Sequence, residues 1–513
     1  MMTNLLTYLE NTVVRLPDKG AYADGTDALT FRQVYDQARA LGTALSRAGY
    51  YREPVVVFMG RHPKTVTAFL GVLYAGCHYV PLDEEMPAHR IELIFQSLNP
   101  RCAVCDAKTA ELLKGFGWSG QVFLYDEAAA GEIDEAALTS IRDKALDIDP
   151  AYIVFTSGST GVPKGVAACH RSVIDYIENL SEVLGFHENT VFGNQTPLYF
   201  DACLKEIYPT LKFGATAYLV PKQLFMLPVK LVEYLNDHQI NTICWVVSAM
   251  TIVSGLGAFQ QVQPKYLHTV AFGSEVFPIK QFRLWREVLP NARFINLYGP
   301  TEATGMSCYY EVKRDFALDE AIPIGRPFRN TEILLLDEND RQAAPGEVGE
   351  ICIRGTGVTL GYYNDPKRTA EAFVQNPLNK AYPEIIYRTG DLARYNEEGE
   401  LIFLSRKDYQ IKHMGHRIEL SEIEVQMTAV PGVERALCAY LEDKGKILAF
   451  YTGEADKAAI TAALREVLPG YMIPNLFMQV EAMPLNKNGK IDRAALLSQY
   501  AAAKAAKKEA RHG

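Results

Sequence analysis

The chain has 513 residues, 48% hydrophobic and 22% charged, with a formal net charge of −9. That length exceeds a single core and points to roughly two to four domains, and the acidic balance argues against a general nucleic-acid binder. No stretch reaches the roughly 18 uninterrupted apolar residues of a membrane span. The start, Met1-Met-Thr-Asn-Leu-Leu6, has no basic run before an apolar one, and the nine cysteines are scattered. Both features fit a reducing, cytoplasmic setting.

In chain order, residues 1 to about 405 alternate strand-like and helix-like runs. Pro54-Val-Val-Val-Phe58 precedes a helical pattern near residues 65–75, and a second pattern, near 90–98, precedes Arg101-Cys-Ala-Val-Cys105. The spacing of Cys102 and Cys105 is that of a redox motif. The run is a short apolar strand, however, and no second cysteine pair exists to complete a zinc site, so buried structural thiols are expected. Such alternation implies an α/β fold of largely parallel sheets covered by helices. Residues 330–405 differ. Glu332-Ile-Leu-Leu-Leu336, Glu350-Ile-Cys-Ile-Arg354 and Glu400-Leu-Ile-Phe-Leu404 are separated by turn residues, which predicts an antiparallel, barrel-like subdomain. From Arg406 the pattern changes again. A helix over 418–430, strands at Ala436-Leu-Cys-Ala-Tyr440 and Ile447-Leu-Ala-Phe-Tyr451, and a helix over 457–468 predict a small α+β domain. The expected boundaries are 1–405 and 406–513. The basic, alanine-rich end, 501–513, reads as a solvated helix or a frayed tail.

The most informative segment is Thr156-Ser-Gly-Ser-Thr-Gly-Val-Pro-Lys-Gly165, directly after Ala151-Tyr-Ile-Val-Phe155. A strand feeding a loop of glycines and hydroxyls that ends in lysine is a way to wrap a polyphosphate. Glycines permit close backbone approach, N–H and O–H groups donate to phosphate oxygens, and Lys164 adds a cation. It is not a Walker A loop, because Pro163 precedes the lysine and Gly165 follows it. The alternative is a flexible surface loop.

This loop resembles the nucleotide-binding signature of the adenylate-forming ligases, the superfamily of acyl-CoA synthetases, luciferases and the adenylation domains of nonribosomal peptide synthesis. Further motifs follow in the family's order over nearly the whole chain: Leu29-Thr-Phe31, Ala75-Gly-Cys-His-Tyr-Val-Pro-Leu-Asp83, Tyr199-Phe-Asp201, Asn296-Leu-Tyr-Gly-Pro-Thr-Glu302, Gly349-Glu-Ile-Cys-Ile-Arg-Gly355, Tyr387-Arg-Thr-Gly-Asp391, Arg406-Lys-Asp-Tyr-Gln-Ile-Lys412 and Asn488-Gly-Lys490. Glu206-Ile-Tyr-Pro209 and Tyr409-Gln-Ile-Lys412 look most like the stand-alone amino acid ligases that load a carrier protein, D-alanine–carrier protein ligase among them.

The resemblance implies ATP and Mg²⁺ as cofactors and a role for each matching residue. Thr156, Ser157, Gly158, Ser159, Thr160, Gly161 and Lys164 would hold the outer phosphates. Tyr298 would stack on adenine with Asn296 at its edge, Thr301 would donate to the α-phosphate, and Glu302 would ligate the metal. Asp391 would take both ribose hydroxyls, since a carboxylate offers two acceptor oxygens to a diol, with Arg406 on the same side. Lys490 would bridge substrate carboxylate and ATP. Asp408 would be the hinge of a mobile C-terminal domain, and Gly415 would line the thiolation tunnel after rotation. Taken alone, Lys490 is a lysine on a polar loop.

Asp201 matches the aspartate that holds the substrate α-ammonium in amino-acid-activating members. Its bland alternative is a helix N-cap. Motif-anchored matching adds Ala202, Lys205, Cys244, Ala271, Gly273, Leu297, Gly305 and Met306 to the pocket. Gly273 would leave extra room. Lys205 suggests a substrate bearing a second carboxylate or another acceptor, unless it pairs with Asp201 four residues earlier. The implied reaction is amino acid activation as an aminoacyl-adenylate, then thioester transfer to the phosphopantetheine of a separate carrier protein in trans. The alternatives are an acyl- or aryl-CoA ligase, against which Asp201 argues, and a non-catalytic paralogue.

Overall fold

The computed structural model describes residues 2–158, 161–408, 410–484 and 491–509. Ser159, Thr160 and Lys490 therefore lie outside the described residues. Two compact units are present. The first comprises Met1–Glu84, Ser97–Phe155 and Gly165–Lys407, and the second Glu85–Gln96, Thr156–Lys164 and Asp408–Gly513.

Three sheets build the body of the first unit, as the alternation of strand and helix patterns implies. A six-stranded sheet runs in the order Gln121–Leu124, Cys102–Cys105, Pro54–Phe58, His78–Leu82, Pro150–Thr156, Lys164–Cys169. Its inner strands pair in parallel. Every residue of Pro54–Phe58 is buried, as expected of a strand covered on both faces. Both cysteines of Cys102–Cys105 are buried too, and burial pushes the Cys105 thiol up to about 12. They are inert core groups. The helix Phe31–Arg47 starts with a reciprocal capping box between Thr30 and Gln33.

The second sheet has nine strands, and its centre sets the site. Thr242–Val246, Thr269–Gly273 and Arg293–Tyr298 lie side by side in parallel register. Cys244 stands beside Ala271, and Gly273 beside Leu297. The third sheet is antiparallel throughout: Thr331–Leu336, Gly349–Gly355, Ile385–Tyr395, Phe373–Gln375 and Leu401–Arg406. It is the barrel-like subdomain predicted for residues 330–405.

In the second unit, Gln410–His413 and His416–Glu419 form a hairpin. Met414 and Gly415 sit at its tip with φ of +53° and +78°, the paired positive values of a tight hairpin turn. The expected helix over 418–430 is shorter, Leu420–Thr428, because Ile418 and Glu419 belong to the hairpin. At that junction one apolar residue satisfies both periodicities, and only cross-strand pairing with Ile411 decides. A three-stranded sheet, Val433–Leu441, Lys446–Gly453 and Leu476–Gln479, carries the helix Lys457–Val467. The alanine-rich end continues the helix Arg493–Glu509. Among the described residues, no helix is long and apolar enough to cross a membrane.

Candidate active site

The strand Arg293–Tyr298 ends in a sharp turn that makes one end of the site. Gly299 permits it, since a Cβ there would lie 2.3 Å from the Gly305 carbonyl oxygen. Thr301–Ala303 then form a short 3₁₀ turn. Glu302 is fully buried, and its Oε1 accepts a hydrogen bond from the Tyr362 hydroxyl at 2.8 Å. Tyr298 donates its hydroxyl to Asp391 Oδ2 at 2.5 Å, and Arg406 pairs with Oδ1 of the same carboxylate. Each Asp391 oxygen thus has one of these partners and keeps a second lone pair, which suits a diol. The Asn296 amide donates to the carbonyls of Ile322 and Pro323, fixing the loop beside the strand.

Asp201 lies at the other end. It opens a 3₁₀ turn, Asp201–Cys203, that leads into the helix Leu204–Phe213. It is not the N-cap, a position held by Phe200. Burial raises its carboxyl to about 6 against the opposing pull of the Thr301 hydroxyl and the Lys205 charge. Lys205 is only 2% exposed, yet no carboxylate of the described residues comes within ion-pair distance of it. The internal Asp201–Lys205 pair is therefore not formed.

Next along the helix, Glu206 is fully buried. Its Oε2 accepts from Asn194 Nδ2 at 3.0 Å, and Oε1 has no partner among the described residues. Burial raises its carboxyl to about 7, with Lys205, Asn194 and Arg61 opposing. Arg61 holds this corner by donating to the Asn194 carbonyl and side chain, both at 2.6 Å, and to the Gln195 carbonyl at 2.8 Å.

Cys244, Ala271, Leu297 and Met306 are buried in the same apolar cluster. Gly305 packs on Tyr176, where a Cβ would lie 3.2 Å from the ring. Ala202 is half-buried in the 3₁₀ turn. The reading of Gly273 as extra room needs correction. A Cβ there would strike the Leu297 carbonyl oxygen at 2.3 Å. The glycine allows close approach of neighbouring backbones, and its missing side chain points into the sheet.

In the second unit, the glycine-rich loop is tied at several points. Ser157 Oγ donates to the Arg417 carbonyl at 2.6 Å, and the Gly158 backbone lies near enough to Glu422 to favour its charged form. Arg90 pairs with Glu422 at 2.7 Å, both side chains nearly inaccessible. Gly161 takes a φ of +80°. The buried Thr156 hydroxyl has no hydrogen-bond partner among the described residues. Lys164 opens the strand Lys164–Cys169. Asp408 Oδ1 accepts from the Gln410 N–H at 3.2 Å.

Sequence reasoning missed Tyr362, Arg61, Asn194 and Tyr176. None lies in a motif rich in chemistry-bearing residues. Tyr362, beside Tyr363 after a glycine, offered the only local hint.

Against known proteins, the family model described as AMP-binding enzyme matches residues 9–363. Tyrocidine synthase 1 of Brevibacillus parabrevis is 32% identical over 493 residues, covering 95% of this chain and 44% of that protein. Surfactin synthase subunit 2 of Bacillus subtilis (strain 168) is 32% identical over 501 residues, covering 96% of this chain and 14% of its own length. The chain thus spans less than half the length of these relatives. Among solved structures, an NRPS protein containing adenylation and PCP domains, bound to a vinylsulfonamide inhibitor, superposes with a TM-score of 0.82 at 28% identity. That match covers 97% of this chain and 84% of the other.

Proposed function

Because the chain belongs to the AMP-binding enzyme family, we propose that it activates an amino acid with ATP as an aminoacyl-adenylate. It then passes the aminoacyl group to the phosphopantetheine thiol of a carrier protein supplied in trans. One observation supports this most. The turn bearing Thr301 and Glu302, the residues matched to nucleotide chemistry, acts on the buried Asp201 carboxyl, which the Thr301 hydroxyl pulls down and the Glu302 charge pushes up. A carboxylate sunk beside that turn is placed for an α-ammonium next to the reacting carboxylate.

The barrier is electrostatic, since a carboxylate must approach an anionic phosphate. Asp391 and Arg406 hold the ribose end. The Thr301 hydroxyl favours the ionised form of Asp201, which would hold the amino acid. Glu302, oriented by Tyr362, would hold Mg²⁺, a hard cation suited to one carboxylate plus phosphate oxygens. When bound, that ion neutralises charge on the phosphates. Thr156, Ser157 and Lys164 would cradle the outer phosphates, and Lys490 would bridge the reacting groups. Asp408 would serve as the pivot and Gly415 as a wall of the thiol tunnel.

Lys490→Ala tests the assignment. Pyrophosphate exchange should fall by roughly two to four powers of ten, the scale for removing a preorganised charge. Transfer from pre-formed adenylate to the carrier should persist. Equal loss in both half-reactions would sink the reading of one site working in two states.

A further inference from the structure

We propose that Arg61 is a positioning residue for amino acid binding: through Asn194 and Glu206 it holds the turn that carries Asp201. The inference rests on the amino-acid reading above and adds a residue to it.

The segment after Asp201 has little to hold it from within. The helix Leu204–Phe213 follows the 3₁₀ turn without a break, and its N-cap, Cys203, makes no side-chain cap. Pro209, inside the helix, has no N–H, so the Lys205 carbonyl loses its helical hydrogen bond. The first turn is therefore held from outside. Tyr22 donates to the Ile207 carbonyl at 2.8 Å, and the buried Glu206 carboxylate accepts from Asn194 Nδ2 at 3.0 Å.

Arg61 places Asn194. The asparagine ends the strand Val191–Asn194 of the nine-stranded sheet, whereas Arg61 follows Pro54–Phe58 of the six-stranded sheet. Both strands pair in parallel with neighbours, and both residues lie at carboxyl ends, where open α/β sheets bind ligands. Arg61 Nη2 donates to the Asn194 carbonyl and to Asn194 Oδ1, both at 2.6 Å, and Nη1 donates to the Gln195 carbonyl at 2.8 Å. With Oδ1 taken by the arginine, the amide presents only Nδ2 to Glu206. A flipped amide would set Oδ1 against the carboxylate and its NH₂ against the guanidinium, so the relay has one direction. Charge favours it too. Burial lowers Arg61 only to about 10, so it stays a cation near neutral pH, and the Glu206 charge is the largest acting on it. Lys205 acts on both Asp201 and Glu206. Arg61 supplies Glu206 with a second cation, and without it a buried carboxylate loses compensation.

The test is pyrophosphate exchange by the full chain, first across a panel of L- and D-amino acids and simple carboxylic acids. The best substrate is then used with Arg61→Met, Asn194→Ala and the double variant Arg61→Met/Glu206→Gln. Arg61→Met should raise the KM for the amino acid at least about thirtyfold. The KM for ATP should stay within about threefold of the parent, because Asp391 and Arg406 are held through other contacts. Asn194→Ala should raise the amino acid KM about tenfold. The double variant should recover at least about tenfold of the Arg61→Met loss, since an amide at position 206 still accepts from Asn194 and leaves no carboxylate unmatched. Equal rises in both KM values, or no recovery in the double variant, overturn the inference. So does a parental amino acid KM in Asn194→Ala. If Arg61→Met does not fold, Asn194→Ala still decides. Exchange with simple carboxylic acids but with no amino acid instead overturns the amino-acid reading itself.

Discussion

Asp201 is buried against Thr301 and near Lys205, and burial raises its carboxyl to about 6. The shift has a functional sign. Above pH 6 the group is ionised and can hold an ammonium; below it the carboxyl is neutral and the charge-assisted bond is lost. The pH profile of kcat/KM for the amino acid in pyrophosphate exchange should therefore break near pH 6 and fall about tenfold per unit below it. Asp201→Asn should lower the plateau by at least about thirtyfold, the smaller end of the cost of truncating a buried charged contact, and should remove the break. A profile flat down to pH 5 in the wild type would remove Asp201 from the ammonium role.

At the scale of elements, the two parallel strands Thr269–Gly273 and Arg293–Tyr298 bring their backbones unusually close at Gly273. Gly273→Ala should thus act on the sheet first. A Cβ placed 2.3 Å from a carbonyl oxygen forces the strands apart. Such overpacking costs about 1–3 kcal/mol, a Tm loss of roughly 1–3 °C in a chain of this size. Thermal unfolding of the variant checks this. If Gly273 only enlarged the pocket, alanine would leave Tm unchanged and shift substrate choice alone. The turn after Tyr298 shows the same principle, since Gly299 lets residues 301 and 302 fold back under the strand.

For the whole molecule, the relevant prediction concerns coupling between half-reactions. Asp408 is the first residue of the longest segment of the second unit. A proline there fixes φ near −65° and removes an N–H. Under the proposed pivot role, Asp408→Pro should keep pyrophosphate exchange within about threefold of the parent while carrier loading falls at least about tenfold. Exchange and single-turnover loading, measured side by side, check it. Loading at the parent rate would exclude Asp408 as the pivot.

The residues proposed for the nucleotide end could be picked out in the sequence because their chemistry is local. A glycine-rich loop, the run from Asn296 to Glu302 and the lone Asp391 keep their types and spacing whatever surrounds them. The sheets were legible for a similar reason, since apolar runs such as Pro54–Phe58 are buried on both faces. Tertiary structure decided what depends on side-chain direction and on distant partners. Lys205 and Asp201 share helical spacing, but only the fold separates them beyond ion-pair distance. Gly273 reads as space in the sequence and as backbone contact in the sheet. Tyr152, Tyr176, Arg61 and Asn194 come from separate stretches of the chain, and no sequence spacing could have shown that they gather near the segment from Asp201 to Tyr208. Period and composition report which face is buried; only the packed chain determines which polar groups meet there and which wait for a ligand.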